Sequence, residues 1–139
     1  MECISQFKAI YQHLDAKNID LLDSIYTQEI RFVDPLHSIE GLPRLKAYCR
    51  ELYSNVGYCG FVFGDEIIHR HEAYLQWVME FSHPRLNGGG AIFLPGVSCL
   101  KFADKVSFHR DYYDAGAMLY EHIPVMGSIV RWLKRRLQS

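Results

Sequence analysis

The sequence is short of cysteine pairs, long apolar runs and net charge, and each shortage excludes a class of protein. Four cysteines are scattered along the chain without a CxxC pair, at Cys3, Cys49, Cys59 and Cys99. This spacing favours reduced thiols and argues against a disulfide framework or a zinc site. No stretch reaches the ~18 uninterrupted apolar residues of a membrane-spanning helix. The first residues, MECISQFKAIYQHL, lack the apolar run of a signal peptide. We therefore expect a cytoplasmic protein.

The charges nearly balance, with 15 basic and 16 acidic residues and a formal charge of −1. Such a chain has no overall attraction to nucleic acid or to acidic substrates, so we expect no nucleic-acid partner. Its 139 residues, 49% of them apolar and 22% charged, are enough for one domain with a sizeable core. We predict a single domain over residues 1–139.

Hydrophobic spacing predicts three helices in the N-terminal part of the chain. Apolar residues recur at intervals of three and four over residues 2–17, which is typical of an amphipathic helix. Asn18 is a suitable cap for a short second helix that runs through Tyr26. Residues 41–56 are the third helix, because Pro43 suits its first turn. The apolar stripe of this helix is Leu45, Tyr48, Cys49 and Leu52.

Alternating apolar residues predict five strands. The segment EIRFVDP puts Ile30, Phe32 and Asp34 on one face. After Gly57 the period-two pattern continues through four more strands, over residues 58–71, 72–83, 90–102 and 105–114. Helices on one face of an antiparallel sheet make an α+β domain. We expect a curled antiparallel sheet whose helices leave a conical cavity.

Residues 117–138 are predicted to form an amphipathic helical segment, interrupted near Pro124. Its apolar residues share one helical face: Met126, Ile129, Val130, Leu133 and Leu137. Its basic residues crowd into six positions around Trp132: Arg131, Lys134, Arg135 and Arg136. We favour a helix that docks on its own domain and keeps its charges in water. The alternative is a membrane-surface helix that makes a weak peripheral contact with lipid.

Three features together resemble the SnoaL-like branch of the nuclear transport factor 2-like superfamily over nearly the whole chain. They are the helix pair leading to RFVDP, the glycine and helix that follow, and the final HRDYYD. The superfamily includes ketosteroid isomerase and limonene-epoxide hydrolase. The resemblance implies a cone-shaped curved sheet with N-terminal helices enclosing a cavity, plus a C-terminal helix here. It does not fix a function, because the fold carries enzymes, ligand binders and interaction domains.

The resemblance also implies a two-fold homodimer. The sheet face opposite the cavity carries a set of apolar and aromatic residues: Tyr74, Val78, Val97, Cys99, Phe108 and Tyr112. That is too much apolar surface to leave in water. We expect two copies of the chain to pair through this face.

The isomerase resemblance assigns a role to Asp34. VDP matches the EDP of the isomerases, so Asp34 takes the place of their catalytic base. Their substrate-binding tyrosine falls on Ile10, and their partner acid falls on or near Ser98, so two of the three working groups are absent. Tyr11 follows Ile10, but one residue is ~100° around a helix and is expected to point elsewhere.

The epoxide hydrolase resemblance assigns a role to Asp111. HRDYYD is similar to the WRDYFD of that enzyme, which places Asp111 at a catalytic aspartate. The arginine and second aspartate of that enzyme fall on Trp77 and Met79. His109, Asp111 and Tyr113 alternate along one strand and therefore share a face.

These placements predict a mostly apolar small-molecule pocket with a few converging polar groups. The predicted wall is Ile10, Tyr26, Phe32, Trp77, Met79 and Tyr113. The predicted polar groups are Asp34, Ser98, His109 and Asp111.

Each polar group also has a structural interpretation. Asp34 can be a turn former that caps backbone amides beside Pro35. Asp111 can form a structural ion pair with Arg110 or His109, and His109 can be a satisfied core histidine. Trp77 can be plain core.

The functional hypothesis is that the protein acts on a small hydrophobic molecule without a cofactor. Asp34 would be the general base or acid and Asp111 its partner, because two carboxylates in one apolar pocket disfavour double ionisation. Such a pair suits isomerisation, dehydration, cyclisation or hydrolysis. The alternative is a non-catalytic lipid- or metabolite-binding module held at a membrane by its last helix. No metal is expected, since His69 and His71 lack a third ligand at a fitting spacing.

Overall fold

The structure is a computed structural model that describes residues 2–116 and 124–138. Its elements are α1 (Glu2–His13), a 3₁₀ helix (Ile19–Ser24), β1 (Tyr26–Val33), β2 (Ser38–Glu40), α2 (Leu42–Asn55), β3 (Tyr58–His69), β4 (Glu72–Ser82), a short 3₁₀ segment (Asn87–Gly89), β5 (Ile92–Phe102), β6 (Val106–Tyr113) and α3 (Pro124–Gln138). Residues 117–123, the first part of the predicted C-terminal segment, lie outside the described residues. So do the side chains of Met126 and Val130.

Six strands form one open sheet in the order β2-β1-β6-β5-β4-β3. The pairings of β1 with β6, β3 with β4 and β5 with β6 each contain a register shift. Such bulges bend the strands that carry them, which curves the sheet. Together with the helices, this sheet confirms the predicted α+β cone-shaped fold.

The sheet is mixed, although the sequence predicts an antiparallel one. β1 pairs with β6 in parallel, with Phe32 opposite His109, whereas the other described pairs are antiparallel. Parallel strands need a long connection, and here the connection is most of the domain. Alternation within a strand carries no information about such a distant pairing. β2 is not among the predicted strands, because three residues are too few to show an alternation.

The predicted N-terminal helices are present, with three corrections. Asn18 does not cap the 3₁₀ helix with its side chain. Instead, its side chain accepts from the Asp15 amide at 2.6 Å and donates to the His13 carbonyl at 2.7 Å, so it closes the end of α1. Tyr26 begins β1 and is not helical. Leu52 is 42% exposed and leaves the apolar stripe of α2.

The core lies between the helices and the inner face of the sheet. β4 shows the predicted alternation, since Ala73, Leu75, Trp77 and Phe81 are buried. The helices bury their own apolar faces against these strands, through Ile4 and Phe7 of α1 and Leu42, Leu45 and Cys49 of α2. A smaller cluster of Phe81, Ile92 and Leu94 continues the core toward the far end of the sheet.

α3 does not bury the apolar face that docking predicts. Ile129, Trp132, Leu133 and Leu137 are 54%, 52%, 49% and 86% exposed. The preferred docked arrangement, which buries Ile129 and Leu133, is therefore wrong for these two residues. Lys134 forms an ion pair with Asp114 at the surface, and such a pair holds a helix near the domain without removing apolar surface from water. None of the described helices is long and apolar enough to cross a membrane.

Candidate functional site

The inner face of β4, β5 and β6 brings together most of the predicted site residues. Ser98 lies opposite Asp111, while Gly96 lies between Trp77 and Tyr113 in the neighbouring row. Residues that are opposite each other in a sheet share a face. The predicted face of β6 is therefore confirmed, and it converges with Ser98 and Trp77.

Asp111 is hydrogen-bonded through one carboxylate oxygen. Its Oδ1 accepts from Ser98 Oγ at 2.5 Å and lies 2.6 Å from His109 Nε2. Trp77 Nε1 donates to Ser98 Oγ at 2.8 Å, which leaves the serine proton free to point at Asp111. No described residue gives Asp111 Oδ2 a hydrogen bond. The Asp111 side chain is 17% exposed, against 3% for His109, so solvent reaches this cluster at Asp111.

Arg110 and His109 are the two residues predicted to form a structural ion pair with Asp111, and one of them contacts it. His109 contacts the carboxylate, as described above. Arg110 lies on the opposite face of β6, where its guanidinium stacks 5.0 Å from the centre of the Tyr112 ring. The charge of Asp111 therefore faces a histidine and a serine hydroxyl on the inner side of the sheet.

His109 is connected through its other ring nitrogen to two tyrosines. Its Nδ1 lies 2.6 Å from the Tyr26 hydroxyl, which lies 2.6 Å from the Tyr11 hydroxyl. Burial raises the pKa of Tyr11 and of Tyr26 well above the usual value. Both phenols therefore carry their protons at neutral pH and can donate.

One set of hydrogen-bond directions satisfies every donor in this chain of groups. Tyr11 donates to Tyr26, and Tyr26 donates to His109 Nδ1. The His109 proton then sits on Nε2 and points at Asp111. The reverse order would leave the Tyr11 hydroxyl without an acceptor among the described residues. We call Tyr11, Tyr26, His109 and Asp111 the donor chain.

The donor chain predicts the tautomer of His109. A ¹⁵N NMR spectrum of histidine-labelled protein at neutral pH is expected to show a proton on Nε2 and none on Nδ1. Tyr26→Phe removes the donor to Nδ1 and is expected to weaken this preference. The control Tyr112→Phe changes an exposed tyrosine on the outer face and should leave the spectrum of His109 unchanged. A wild-type spectrum with the proton on Nδ1 contradicts the assignment.

Tyr11 points inward, which corrects the prediction that it points away from the site. Phe7 and Tyr11 are one helical turn apart, and residues at this spacing share a face. Phe7 is buried and its ring centre lies 4.7 Å from that of Tyr11. Ile10, the position that the isomerase resemblance selects, is half-buried and packs against the core beside the donor chain.

Asp34 is a turn former that also faces inward. Its Oδ1 accepts from the backbone amides of Leu36 and His37, at 2.9 and 2.8 Å. The His37 ring nitrogen lies 3.1 Å from the same oxygen. Its Oδ2 accepts from the Tyr48 hydroxyl at 3.3 Å. Oδ1 therefore makes the contacts of a turn former, and Oδ2 makes a contact with a side chain of α2, which packs on the inner side of the sheet. Both interpretations of Asp34 apply.

Tyr113 lies close enough to both acids to be affected by their charges. Burial, and then the charges of Asp34 and Asp111, raise the pKa of Tyr113. Burial and the charge of Asp34 likewise raise the pKa of Tyr48, a residue that is missing from the predicted site. Its place in the apolar stripe of α2, which follows the Asp34 turn, is the signal that could have found it. These two phenols therefore stay protonated at neutral pH, and Tyr48 donates its proton to Asp34.

Aromatic and apolar side chains surround the polar groups. Phe61, which is not among the predicted site residues, contacts both Tyr11 and Trp77, with ring centres 5.7 and 5.3 Å away. Phe32 contacts His109, with ring centres 4.9 Å apart. Met79 and Tyr113 pack together against the smaller core cluster. All the predicted wall residues thus lie at or beside the inner face.

An enclosed cavity around Asp34 and Asp111 stays a prediction. One described cavity of about 650 Å³ lies at the turns that join β3 to β4 and β5 to β6, beside Thr27 and Lys101. Another of about 540 Å³ lies along β3, β4 and β5, beside Val62 and Val97. Within residues 2–116 and 124–138, no group of three or more histidine, cysteine or acidic side chains is arranged to hold a metal ion.

Comparisons with known proteins place this site in context. A family model described as a SnoaL-like domain matches residues 7–107. No curated protein matches the sequence. Among solved structures, a protein named as a SnoaL-like polyketide cyclase from Jannaschia sp. CCS1 is similar, with a TM-score of 0.73, 16% identity, and 85% of this chain and 89% of that chain covered. An NTF2-like protein from Burkholderia pseudomallei K96243 has a TM-score of 0.75 and 11% identity, covering 86% and 95%. TerC, co-crystallised with polyporic acid, has a TM-score of 0.70 and 16% identity, covering 84% and 92%.

Proposed function

Because the chain belongs to the SnoaL-like domain family, we propose that it binds a small hydrophobic molecule and acts on it by cofactor-free acid–base catalysis. The observation that carries this proposal is the donor chain, which begins at the half-buried Tyr11, passes through the buried Tyr26 and ends at a partly exposed carboxylate. A core built only for stability has no need to end a hydrogen-bonded chain on an acid that solvent reaches.

Asp111 is the general base of this proposal. Its Oδ2, which has no hydrogen bond from the described residues, would take a proton from a carbon or oxygen next to a substrate carbonyl. The same proton would return to another atom of the substrate, as isomerisation and cyclisation require. His109 would be a positioning residue that holds Oδ1 through its Nε2 proton, supported by Tyr26 and Tyr11.

Asp34 is the partner acid. The sequence suggests Asp34 as the general base or acid, but its Oδ1 is occupied by the turn and its Oδ2 by Tyr48. These contacts suit a residue that positions Tyr48, whose single hydroxyl proton goes to Asp34. The protonated hydroxyl of Tyr113 would donate to the oxygen on which negative charge develops.

The proposed substrate class is a flat, polyhydroxylated aromatic or polyketide-like molecule with an enolisable carbonyl. Phe61, Trp77 and Tyr48 offer ring faces and edges beside the acids, which suits stacking against such a molecule. Two similar structures are a protein named as a polyketide cyclase and one holding polyporic acid. Cyclisation or isomerisation is therefore preferred to dehydration or hydrolysis.

A non-catalytic metabolite-binding module is the second candidate. It is favoured by the hydrogen bonds on both oxygens of Asp34 and on Oδ1 of Asp111, since the two carboxylates could then serve the fold alone. Binding without turnover, at a site that tolerates the loss of the Asp111 charge, would support it.

Polyporic acid is a suitable first probe of binding. Trp132→Phe leaves Trp77 as the single tryptophan. Trp77 belongs to the site because its indole nitrogen donates to Ser98. We expect saturable quenching of Trp77 fluorescence at micromolar to millimolar concentrations. In this background, Tyr113→Ala should weaken the quenching, and the outer-face control Val62→Ala should not. Absence of quenching at every concentration, or equal quenching in both variants, would count against the proposed site.

A two-fold homodimer through the outer sheet face is part of the proposal. Tyr74, Val78 and Tyr112 are 45%, 40% and 52% exposed, and Val97, Cys99 and Phe108 are half-buried. Val62, Ile67 and Phe93 extend this surface, at 71%, 69% and 63% exposed. Large apolar patches of this kind on a sheet favour pairing with a second copy.

The dimer is expected to dissociate when a charge is placed in this face. Val78→Glu puts an unpaired carboxylate in the middle of the proposed interface, where burial would cost several kcal/mol. Light scattering at micromolar concentration should give twice 16.2 kDa for the wild type and a monomer for Val78→Glu. Leu52→Glu, a control of nearly equal exposure on α2, should stay dimeric. A wild-type mass of 16.2 kDa refutes the dimer.

A cytoplasmic location fits the state of the thiols. Cys3, Cys49, Cys59 and Cys99 are all free in the structure. Free thiols are usual in the reducing cytoplasm and uncommon in oxidising compartments. We therefore retain the cytoplasm as the proposed location.

A further inference from the structure

α3 presents an apolar surface and a basic surface side by side. Ile129, Trp132, Leu133 and Leu137 recur at intervals of three and four, and each is about half exposed or more. This spacing forms one stripe along a helix. The guanidinium of Arg136 lies 5.5 Å from the centre of the Trp132 ring, at the border between the two surfaces.

The charge of α3 is opposite to that of the remaining chain. Residues 124–138 contain four basic residues and no acidic one, a formal charge of +4. The other residues contain 11 basic and 16 acidic side chains, a formal charge of −5. The basic character of the helix is therefore local and is hidden in the net charge of −1.

Three of the four surfaces that could cover α3 fit it poorly. The domain itself leaves the apolar stripe exposed. A second copy of α3 would bring two helices of charge +4 together, which is repulsive at close range. Nucleic acid would take up the basic side chains but leave Ile129, Leu133 and Leu137 in water.

An anionic bilayer accommodates both surfaces at once. The acyl boundary takes up apolar side chains, the headgroup layer attracts lysine and arginine, and tryptophan prefers the level between them. The basic charge of α3 and its exposed apolar stripe therefore both favour an anionic membrane as the partner.

We propose that α3 docks on the surface of anionic membranes, lying in the interface with its apolar stripe toward the acyl chains. Arg131 and Arg135 would lie over the headgroups, and Trp132 at the boundary. This inference does not depend on the acid–base site, and it would hold for an enzyme and for a binding module alike. Docking of α3 would bring the domain that carries the acid–base site to a bilayer, which is a source of apolar small molecules.

Vesicle sedimentation of the full chain tests the electrostatic half of the proposal. We expect binding to phosphatidylcholine vesicles that contain about 30% phosphatidylserine, and little to phosphatidylcholine alone. Raising the salt from about 50 mM to about 500 mM should release the protein, because the Debye length falls. No binding to the anionic vesicles at low salt overturns the proposal.

A pair of charge variants tests whether α3 is the bound element. Arg131→Gln with Arg135→Gln should weaken binding about thirtyfold, at about tenfold per 1.4 kcal/mol and about 1 kcal/mol per basic residue. Arg44→Gln with Arg85→Gln removes the same charge from exposed residues outside α3 and should have little effect. Equal weakening by both pairs would mean general attraction and would overturn the helix assignment.

Tryptophan fluorescence tests the apolar half. Trp77 is buried and Trp132 is exposed, so a blue shift on adding anionic vesicles reports the transfer of Trp132 into the interface. Trp132→Phe should remove the shift, and Leu137→Ser should reduce vesicle binding. The matched variant Ile67→Ser, on the outer sheet face, should not. An unchanged spectrum for bound protein, or self-association through α3 in place of lipid binding, contradicts docking.

Discussion

Gly96→Ala is expected to destabilise the protein by about 3 kcal/mol, at the upper end of the cost of overpacking a core. A Cβ atom at this position would lie 2.6 Å from Cζ2 and 2.7 Å from Cζ3 of the Trp77 ring. The ring cannot easily retreat, because Trp77 is 5% exposed and its indole nitrogen is bonded to Ser98. The added methyl group would therefore also disturb the hydrogen bond from Ser98 to Asp111.

Gly64→Ala is the matched control. Gly64 is also in a strand beside β4, but a Cβ atom there would meet the nearest atoms, on Gln76, at 3.9 Å. Since glycine in a strand interior costs roughly 0.5–1 kcal/mol relative to alanine, this variant should be neutral or slightly stabilised. Urea unfolding of the two variants gives the comparison. Equal midpoints would show that Trp77 is not held where the structure has it.

Asp111→Asn is expected to lower turnover by about 10²- to 10⁴-fold, which is the usual contribution of a general acid or base. Asparagine keeps an oxygen that can accept from Ser98 and His109, so the fold should persist. It cannot take a proton from a substrate. The measurement is kcat for an enolisable polyhydroxylated aromatic substrate, together with urea unfolding and the affinity for polyporic acid.

Asp104→Asn controls for the loss of a carboxylate elsewhere on the sheet. Asp104 is exposed in the turn between β5 and β6 and should be replaceable without loss of turnover. If Asp111→Asn turns over substrate as fast as the wild type, Asp111 is not the base. If the wild type binds polyporic acid but turns over no member of the substrate class, the binding module becomes the better account.

The inner face of the sheet was predictable because strand alternation is strict. His109, Asp111 and Tyr113 share a face in any extended strand, and Leu75, Trp77 and Phe81 do so in β4. The same rule placed Asp34 in line with Ile30 and Phe32. Alternation also implied the outer face, so both sides of β4 and β6 could be identified from their residues alone.

The helical contributions were less predictable, because a residue-by-residue alignment fixes sequence position and not helix rotation. It selected Ile10, whereas the burial of Phe7 turns Tyr11 toward Tyr26 and His109. The pairing of β1 with β6 depends on contacts across most of the chain, which no local pattern records. The exposure of α3 depends on how much apolar surface the domain offers it, and composition cannot measure that.

The most direct test of the proposed function is carboxyl-carbon NMR of Asp111 during a titration with polyporic acid. We predict that the Asp111 resonance, identified with the Asp111→Asn variant, shifts and saturates together with the signals of Tyr113 and Met79. The signals of Val78 on the outer face should stay in place. Shifts confined to the outer face, or no shift of the Asp111 resonance at millimolar polyporic acid, would contradict a small-molecule site at this carboxylate.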